Sequence, residues 1–244
     1  MPAFAPATDP LALARWLLFL CGTRLSVHYP QRRPQHRQVL LVSNHRSFLD
    51  APVLMAALGQ SVRFACHHYL GQVPVLADIV ASLGCFPLAE PQQRGTSFFK
   101  QATAYLQAQQ MVGIFPEGAV PMVTPSPRHQ VTDFNRGFAH LALRMPIDNL
   151  TILPVAIASH HERCQFGVPL KVLQLFDPSE PLFDQLGWHP AIIYERVSVI
   201  VGRPITLTQH QREHYKGRRA GQLAAEIAAT CHDEVTHLLR QGCY

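Results

Sequence analysis

Val39-Leu40-Leu41-Val42-Ser43-Asn44-His45-Arg46-Ser47-Phe48-Leu49-Asp50 is the stretch whose reading decides the fold. Val39 to Val42 form an apolar run rich in branched side chains, bounded at once by the polar Ser43 and Asn44. That is the pattern of a buried strand at its C-terminal end. Asn44 or Ser47 can cap a following helix, whose apolar positions include Phe48, Leu49, Val53 and Leu54. His45 then lies just before the helix and Asp50 within its first two turns, so ring and carboxylate can meet. An imidazole held by a carboxylate is oriented, kept in one tautomer and made a better base. His45 and Asp50 are the candidate catalytic pair.

The same alternation continues along the chain. The first helix should end at Gly59, a natural C-terminal stop. Val62–Cys66 reads as a strand, a helix starts near Pro74, and Gly84–Leu88 is a short strand. A helix runs from Arg94 to about Gln109, and Met111–Phe115 is a strand ending in Pro116-Glu117-Gly118. Pro116 stiffens that turn and Gly118 allows close backbone approach. Residues 119–133 read as a Pro-rich irregular loop, and Phe134-Asn135-Arg136-Gly137 opens the next helix. Leu150–Ala158 is a strong apolar strand whose Pro154 predicts a sheet edge or a distorted strand end. Val168–Phe176 and Ile192–Val201 read as late strands, and a final amphipathic helix spans about Arg218 to Leu239. Together these elements predict an α/β fold: one domain with a mostly parallel central sheet flanked by helices, its motifs at strand ends, where such sheets place ligands.

Three blocks in this order carry a family resemblance. Asn44 to Asp50 resembles the H-x4-D block of the glycerolipid acyltransferases, the lysophosphatidate acyltransferase family. Gly113-Ile114-Phe115-Pro116-Glu117-Gly118 resembles its F-P-E-G block, and Ile152-Leu153-Pro154-Val155-Ala156-Ile157 its apolar, proline-centred fourth block. The resemblance implies transfer of a fatty acyl group from a thioester, acyl-CoA or acyl carrier protein, to a hydroxyl of a lysophospholipid. The acceptor it implies first is 1-acylglycerol 3-phosphate. His45 would be the base and Asp50 its orienting partner, while Phe115, Pro116, Glu117 and Gly118 would bind the acceptor or order the site. No metal and no tightly bound organic cofactor is required, and no G-x-S-x-G elbow suggests a covalent nucleophile.

Two departures bear on the acceptor. Where the family's second block usually carries an arginine for the glycerol phosphate, this chain has Ala89 or Glu90, and after F-P-E-G it has Ala119, Val120 and Pro121. Phosphate favours fixed, bidentate positive charge. Arg136 and Arg94 are the candidate replacements. A different, non-phosphate acceptor is the alternative, and a non-catalytic lipid-binding relative a more distant one.

The composition fits a protein that works against lipid. Charged residues make up 15% of the 244, beside about 25% in a typical domain. The net charge is +5 and the pI about 9.0, suited to an anionic surface. No aromatic–basic interleaving points to nucleic acid. Leu11–Cys21 is apolar on nearly every face yet too short to span, and with Arg15 and Trp16 it reads as an interfacial helix or a core helix. Gln31–Arg37 follows as a basic linker. The expected organisation is an N-terminal interfacial helix and linker over residues 1–37 and an acyltransferase domain over 38–244. The expected location is the cytoplasmic face of a membrane, as a peripheral or monotopic protein. Six scattered cysteines without C-x-x-C pairs suit reduced thiols. His160, His161, Glu162 and Cys164 fit no zinc spacing.

Overall fold

The computed structural model describes residues 9–71, 76–89, 93–118, 120–123, 127–175, 178 and 181–242. Its strands are β1 (Arg24–His28), β2 (Val39–Ser43), β3 (Val62–Cys66), β4 (Phe86–Pro87), β5 (Met111–Ile114), β6 (Thr151–Pro169), β7 (Trp188–Val201) and β8 (Ile205–Thr206). Its helices are α1 (Pro10–Leu20), α2 (Asp50–Leu58), α3 (Leu76–Ser82), α4 (Arg94–Gln107), α5 (Val120–Val123), α6 (Gly137–Arg144), α7 (Leu170–Gln174), α8 (Gln209–Glu213) and α9 (Gly217–Gly242). The sheet order is β1-β7-β6-β2-β5-β3-β4, with β8 beside β6. Every neighbouring pair is parallel except β6 with β7 and β6 with β8.

β2 explains the layering. All five of its residues are buried, and they alternate between two cores. Leu40 and Val42 pack with Ala102 and Leu106 of α4, Phe138 of α6, and Ile227 and Val235 of α9. Val39 and Leu41 pack on the opposite face with Leu18 of α1 and Val53 and Leu54 of α2. A strand covered on both faces reads as a continuous apolar run, because neither side meets water. α2 stops at Gly59, whose φ of 65° suits the left-handed C-terminal cap.

The structure departs from the sequence reading at several elements. Pro154 lies in the sheet interior, between β2 and β7, and not at an edge. Its carbonyl accepts from Gly202 N at 2.9 Å, so the side on which it lacks an N–H faces the break between β7 and β8. The proline therefore costs the ladder little. The expected strand Val168–Phe176 is not separate as far as it is described, to Leu175: β6 continues through Pro169 and turns directly into α7, and Phe176 lies outside the described residues. The stretch 119–133 includes the short helix α5, and Pro74 lies outside the described residues. Arg24–His28, to which the sequence reading assigned no element, joins the sheet parallel to β7. α1 buries Ala14 and Leu18 against α2, while Trp16, Phe19 and Leu20 stay 62%, 75% and 73% exposed.

Candidate active site

β2 and β5 run parallel side by side, so the segment after β2 and the turn after β5 emerge together at the C-terminal edge of the sheet. Asp50 opens α2 and is completely buried. Its Oδ2 accepts from the backbone N–H of Arg46 at 2.6 Å and of Ser47 at 2.9 Å. An oxygen met by two such donors acts as an acceptor, so His45 Nδ1, 2.8 Å away, carries the proton it shares. The Tyr194 hydroxyl donates to Oδ1 at 2.6 Å. Nε2 of the His45 ring then keeps its lone pair and has no partner among the described residues. The side chain is 19% exposed, which leaves that nitrogen reachable.

The surrounding contacts fix this pair from several elements. Asn44 bridges to β6, donating to Ile157 O at 3.0 Å and accepting from Ile157 N at 2.8 Å. It ties two strands together and caps no helix. Ser47 donates to Ile192 O at 2.6 Å and accepts from Leu49 N at 3.0 Å. The N-terminal cap position of α2 falls on Leu49, with no side-chain cap.

Glu117 is buried, and both of its oxygens are engaged inside the protein. Oε1 accepts from His45 N at 2.7 Å; Oε2 accepts from Thr132 N at 2.6 Å and Thr132 Oγ1 at 2.7 Å. The glutamate therefore links the histidine segment, the β5 turn and the loop before α6. Phe115 stacks on the His45 ring with centroids 4.2 Å apart and planes 11° from parallel, and Phe64 stacks behind it at 5.2 Å. Gly113 makes room for this stack, since a Cβ there would run into the Phe64 ring. Pro116 is buried, and its carbonyl accepts from Asn135 N at 3.0 Å and Asn135 Nδ2 at 2.8 Å. Gly118 closes the turn with φ 73° and donates to Phe115 O at 3.1 Å. Arg136, the residue after Asn135, is exposed at the start of α6. Arg94 opens α4; its side chain lies outside the described part of the structure.

A second charged group borders the pair. Arg46 grips Glu162 of β6 through Nε, at 3.1 and 2.9 Å, and Nη2, at 2.6 Å. Arg128 reaches the same carboxylate at 3.5 Å and donates to His160 O at 2.8 Å. Burial alone would raise Glu162 and lower Arg46. The bonds between them outweigh it, holding Glu162 below the usual carboxylate range and Arg46 above its ordinary value. Tyr194 is pushed well above the ordinary phenol range, first by burial and then by the neighbouring Asp50 carboxylate, so it stays a neutral donor.

The structure thus brings His45, Asp50, Phe115, Pro116, Glu117 and Gly118 together, while Arg136 is exposed at the start of α6, one residue beyond Asn135. Sequence reading missed Tyr194, Glu162 and Thr132. Glu162 was visible only as part of a poor metal pattern, and among the described residues no three His, Cys, Asp or Glu side chains gather to hold a metal. The arrangement can do general-base chemistry: a fixed, oriented imidazole with one open nitrogen.

The family described as Acyltransferase matches residues 24–158, which include the β2 and β5 segments of the site. Among solved structures the chain is similar to the 1-acyl-sn-glycerophosphate (LPA) acyltransferase PlsC from Thermotoga maritima. That match has a TM-score of 0.55 and 17% identity, and covers 92% of this chain and 77% of the other. At that identity the likeness speaks for the fold. A search of curated proteins found no match.

Proposed function

The chain belongs to the acyltransferase family, and from that premise we propose that it acylates a lysophospholipid hydroxyl from a thioester, with 1-acylglycerol 3-phosphate as acceptor and phosphatidate as product. The observation that carries the proposal is His45, held through Nδ1 by a buried carboxylate with Nε2 left open. In the proposed reaction Nε2 takes the acceptor's hydroxyl proton as its oxygen attacks the thioester carbonyl. The tetrahedral intermediate then expels the thiolate, which recovers that proton from His45, so no acyl-enzyme forms. Asp50 stabilises the transient imidazolium, and the Phe115 ring keeps the imidazole in plane. A general base of this kind contributes about 10² to 10⁴-fold. Glu117, with both oxygens engaged by the protein, positions the backbone of His45 and leaves acceptor binding to other groups.

Arg46 and Arg128 converge on the carboxylate of Glu162 beside the pair, and Arg46 also lies in the field of the Asp50 carboxylate. Arg136, exposed beside the Asn135 that holds the Pro116 carbonyl, is the cation offered to an anionic acceptor in place of the changed family arginines. The donor, acyl-CoA or acyl carrier protein, is a co-substrate. Among the described residues no helix is long and apolar enough to cross a membrane, and we place the enzyme peripherally, on the cytoplasmic face.

The acceptor reading is tested by turnover on lysophosphatidate beside neutral and zwitterionic lyso-lipids. A preference for the phosphate monoester, reduced in Arg136→Gln, is expected. Equal turnover on all three would replace the phosphate-bearing acceptor with the non-phosphate alternative.

A further inference from the structure

Beside Glu162 and Tyr194 on the same two strands, the start of β1 and the adjoining parts of β6 and β7 form an open cavity of about 360 Å³ lined by Cys21, Arg24, His161, Arg163, Glu195 and Arg196, most of them exposed. It shares no residue with the catalytic constellation. Arg24 stands directly opposite Arg196 across the β1–β7 pair, and Arg196 opposite His161 across β7–β6. Like charges on facing positions of neighbouring strands repel. The acid lining the cavity does not relieve them, because Glu195 is paired with Arg163 at 2.9 Å. Arg24 and Arg196 have no carboxylate partner among the described residues. The field of this cluster reaches His160, held below the ordinary histidine range by burial first and then by Arg196, His161 and His28.

The cavity also adjoins an apolar face. Cys21 immediately follows Leu20, the last residue of α1, whose Trp16, Phe19 and Leu20 point outward and stay mostly exposed. At about 1.5 Å rise per residue, Trp16 is less than two helical turns from the cavity wall. Aromatic and aliphatic side chains beside a guanidinium cluster match the cross-section of a phospholipid, with acyl chains below and a phosphate above.

We propose that this cavity binds the phosphate of an anionic phospholipid headgroup while the outer face of α1 enters the adjoining acyl region. The proposal rests on the reading of the protein as membrane-associated and assigns that association a specific site. It accounts for a pair of facing arginines that make no ion pair among the described residues. A headgroup phosphate between them would supply bidentate acceptors for both.

The test is sedimentation of the full chain with phosphatidylcholine vesicles and with vesicles of three parts phosphatidylcholine to one part phosphatidylglycerol. Wild type is compared with Arg24→Gln/Arg196→Gln and with Arg218→Gln/Arg219→Gln, which removes the same charge from an exposed stretch of α9. With each cavity arginine contributing about fivefold at an anionic surface, the cavity variant should lose about 25-fold in affinity for the mixed vesicles. The α9 variant should lose much less. Equal losses in both variants would mean diffuse attraction and overturn the site, as would wild type that does not prefer the mixed vesicles. Inorganic phosphate and glycerol 3-phosphate are titrated in parallel. Saturable binding of either that is lost in the cavity variant, without a preference for mixed vesicles, would assign the cavity to a soluble phosphate and overturn the lipid reading. Vesicle binding is read without turnover, so this site and acyl transfer at His45 can fail independently.

Discussion

Asp50 accepts four hydrogen bonds through two oxygens, from His45, Arg46, Ser47 and Tyr194, and this full set makes a buried carboxylate tolerable. Tyr194→Phe removes one of them without changing the ring. A hydrogen bond to a charged group is worth about 1.5–3 kcal/mol, so chemical denaturation should show a loss in that range, together with reduced turnover. Unchanged stability would mean that water satisfies Oδ1 equally well. Gly113→Ala should act at a distance through Phe64 and Phe115, tilting the His45 ring; lowered kcat with an intact fold by circular dichroism is the expected result. The Arg46–Glu162 pair sets a pH dependence. Because the folded protein holds Glu162 below its ordinary value, its contribution is complete above the usual glutamate range and is lost as pH falls through the depressed folded value. Urea midpoints from neutral to acid pH should fall less steeply in Glu162→Gln than in wild type. At this scale the sequence exposed His45, Asp50 and the Phe115–Gly118 turn because they cluster in short local motifs. Tyr194 and Glu162 come from strands more than a hundred residues downstream, and no local pattern announces them.

The elements that position the site divide in the same way. β2, β3, β5 and the helices α2, α4, α6 and α9 follow from local periodicity and caps, since each buries an apolar run or stripe against the sheet. The β6–β7 extension does not. Past Ser159 the two strands pair mainly with each other, through register shifts that interrupt strict alternation, and this ribbon places Glu162 opposite Tyr194. A short apolar run such as Val168–Phe176 fits strand and helix equally by pattern; tertiary contacts decided for α7. β1 carries the alternating pattern of a half-buried strand, Leu25 and Val27 inward, but over only five residues, and β7 beside it completes the ladder. α1 is a core helix along Ala14 and Leu18 and keeps an open apolar face along Trp16, Phe19 and Leu20. Leu18→Ala should therefore destabilise the fold, by about 2–5 kcal/mol for a buried leucine, read as a lowered denaturation midpoint. A change below 0.5 kcal/mol would mean that α1 is not part of the cooperative unit.

Across the whole molecule, two apolar cores clamp the sheet from either side; the Cys231 thiol lies deep within one, while Cys66 and Cys85 are partly buried. Burial pushes Cys66 to about 12, Cys85 to about 11 and Cys231 to about 12. Each of these folded values lies above the ordinary thiol value. Their contribution to stability is therefore complete below about 9 and is lost as pH rises from there toward 12. Alkylation near pH 8 should modify the exposed Cys164 first, the partly buried Cys66 and Cys85 more slowly, and Cys231 only on unfolding; early loss of the Cys231 thiol would show that the α9 layer opens readily. The three-layer architecture was legible from the order of elements, because alternating strands and helices leave few other ways to cover a sheet on both faces. The cationic cavity was not, since its arginines meet only when β1, β6 and β7 align.

The account turns on one imidazole, and the most direct measurement is transfer of labelled palmitoyl from its thioester to lysophosphatidate in detergent micelles, wild type beside His45→Ala. The account predicts transfer by wild type and a loss of about 10² to 10⁴-fold in the variant, with its fold unchanged. Transfer that survives His45→Ala at near wild-type rate would contradict the assignment of His45 as the base.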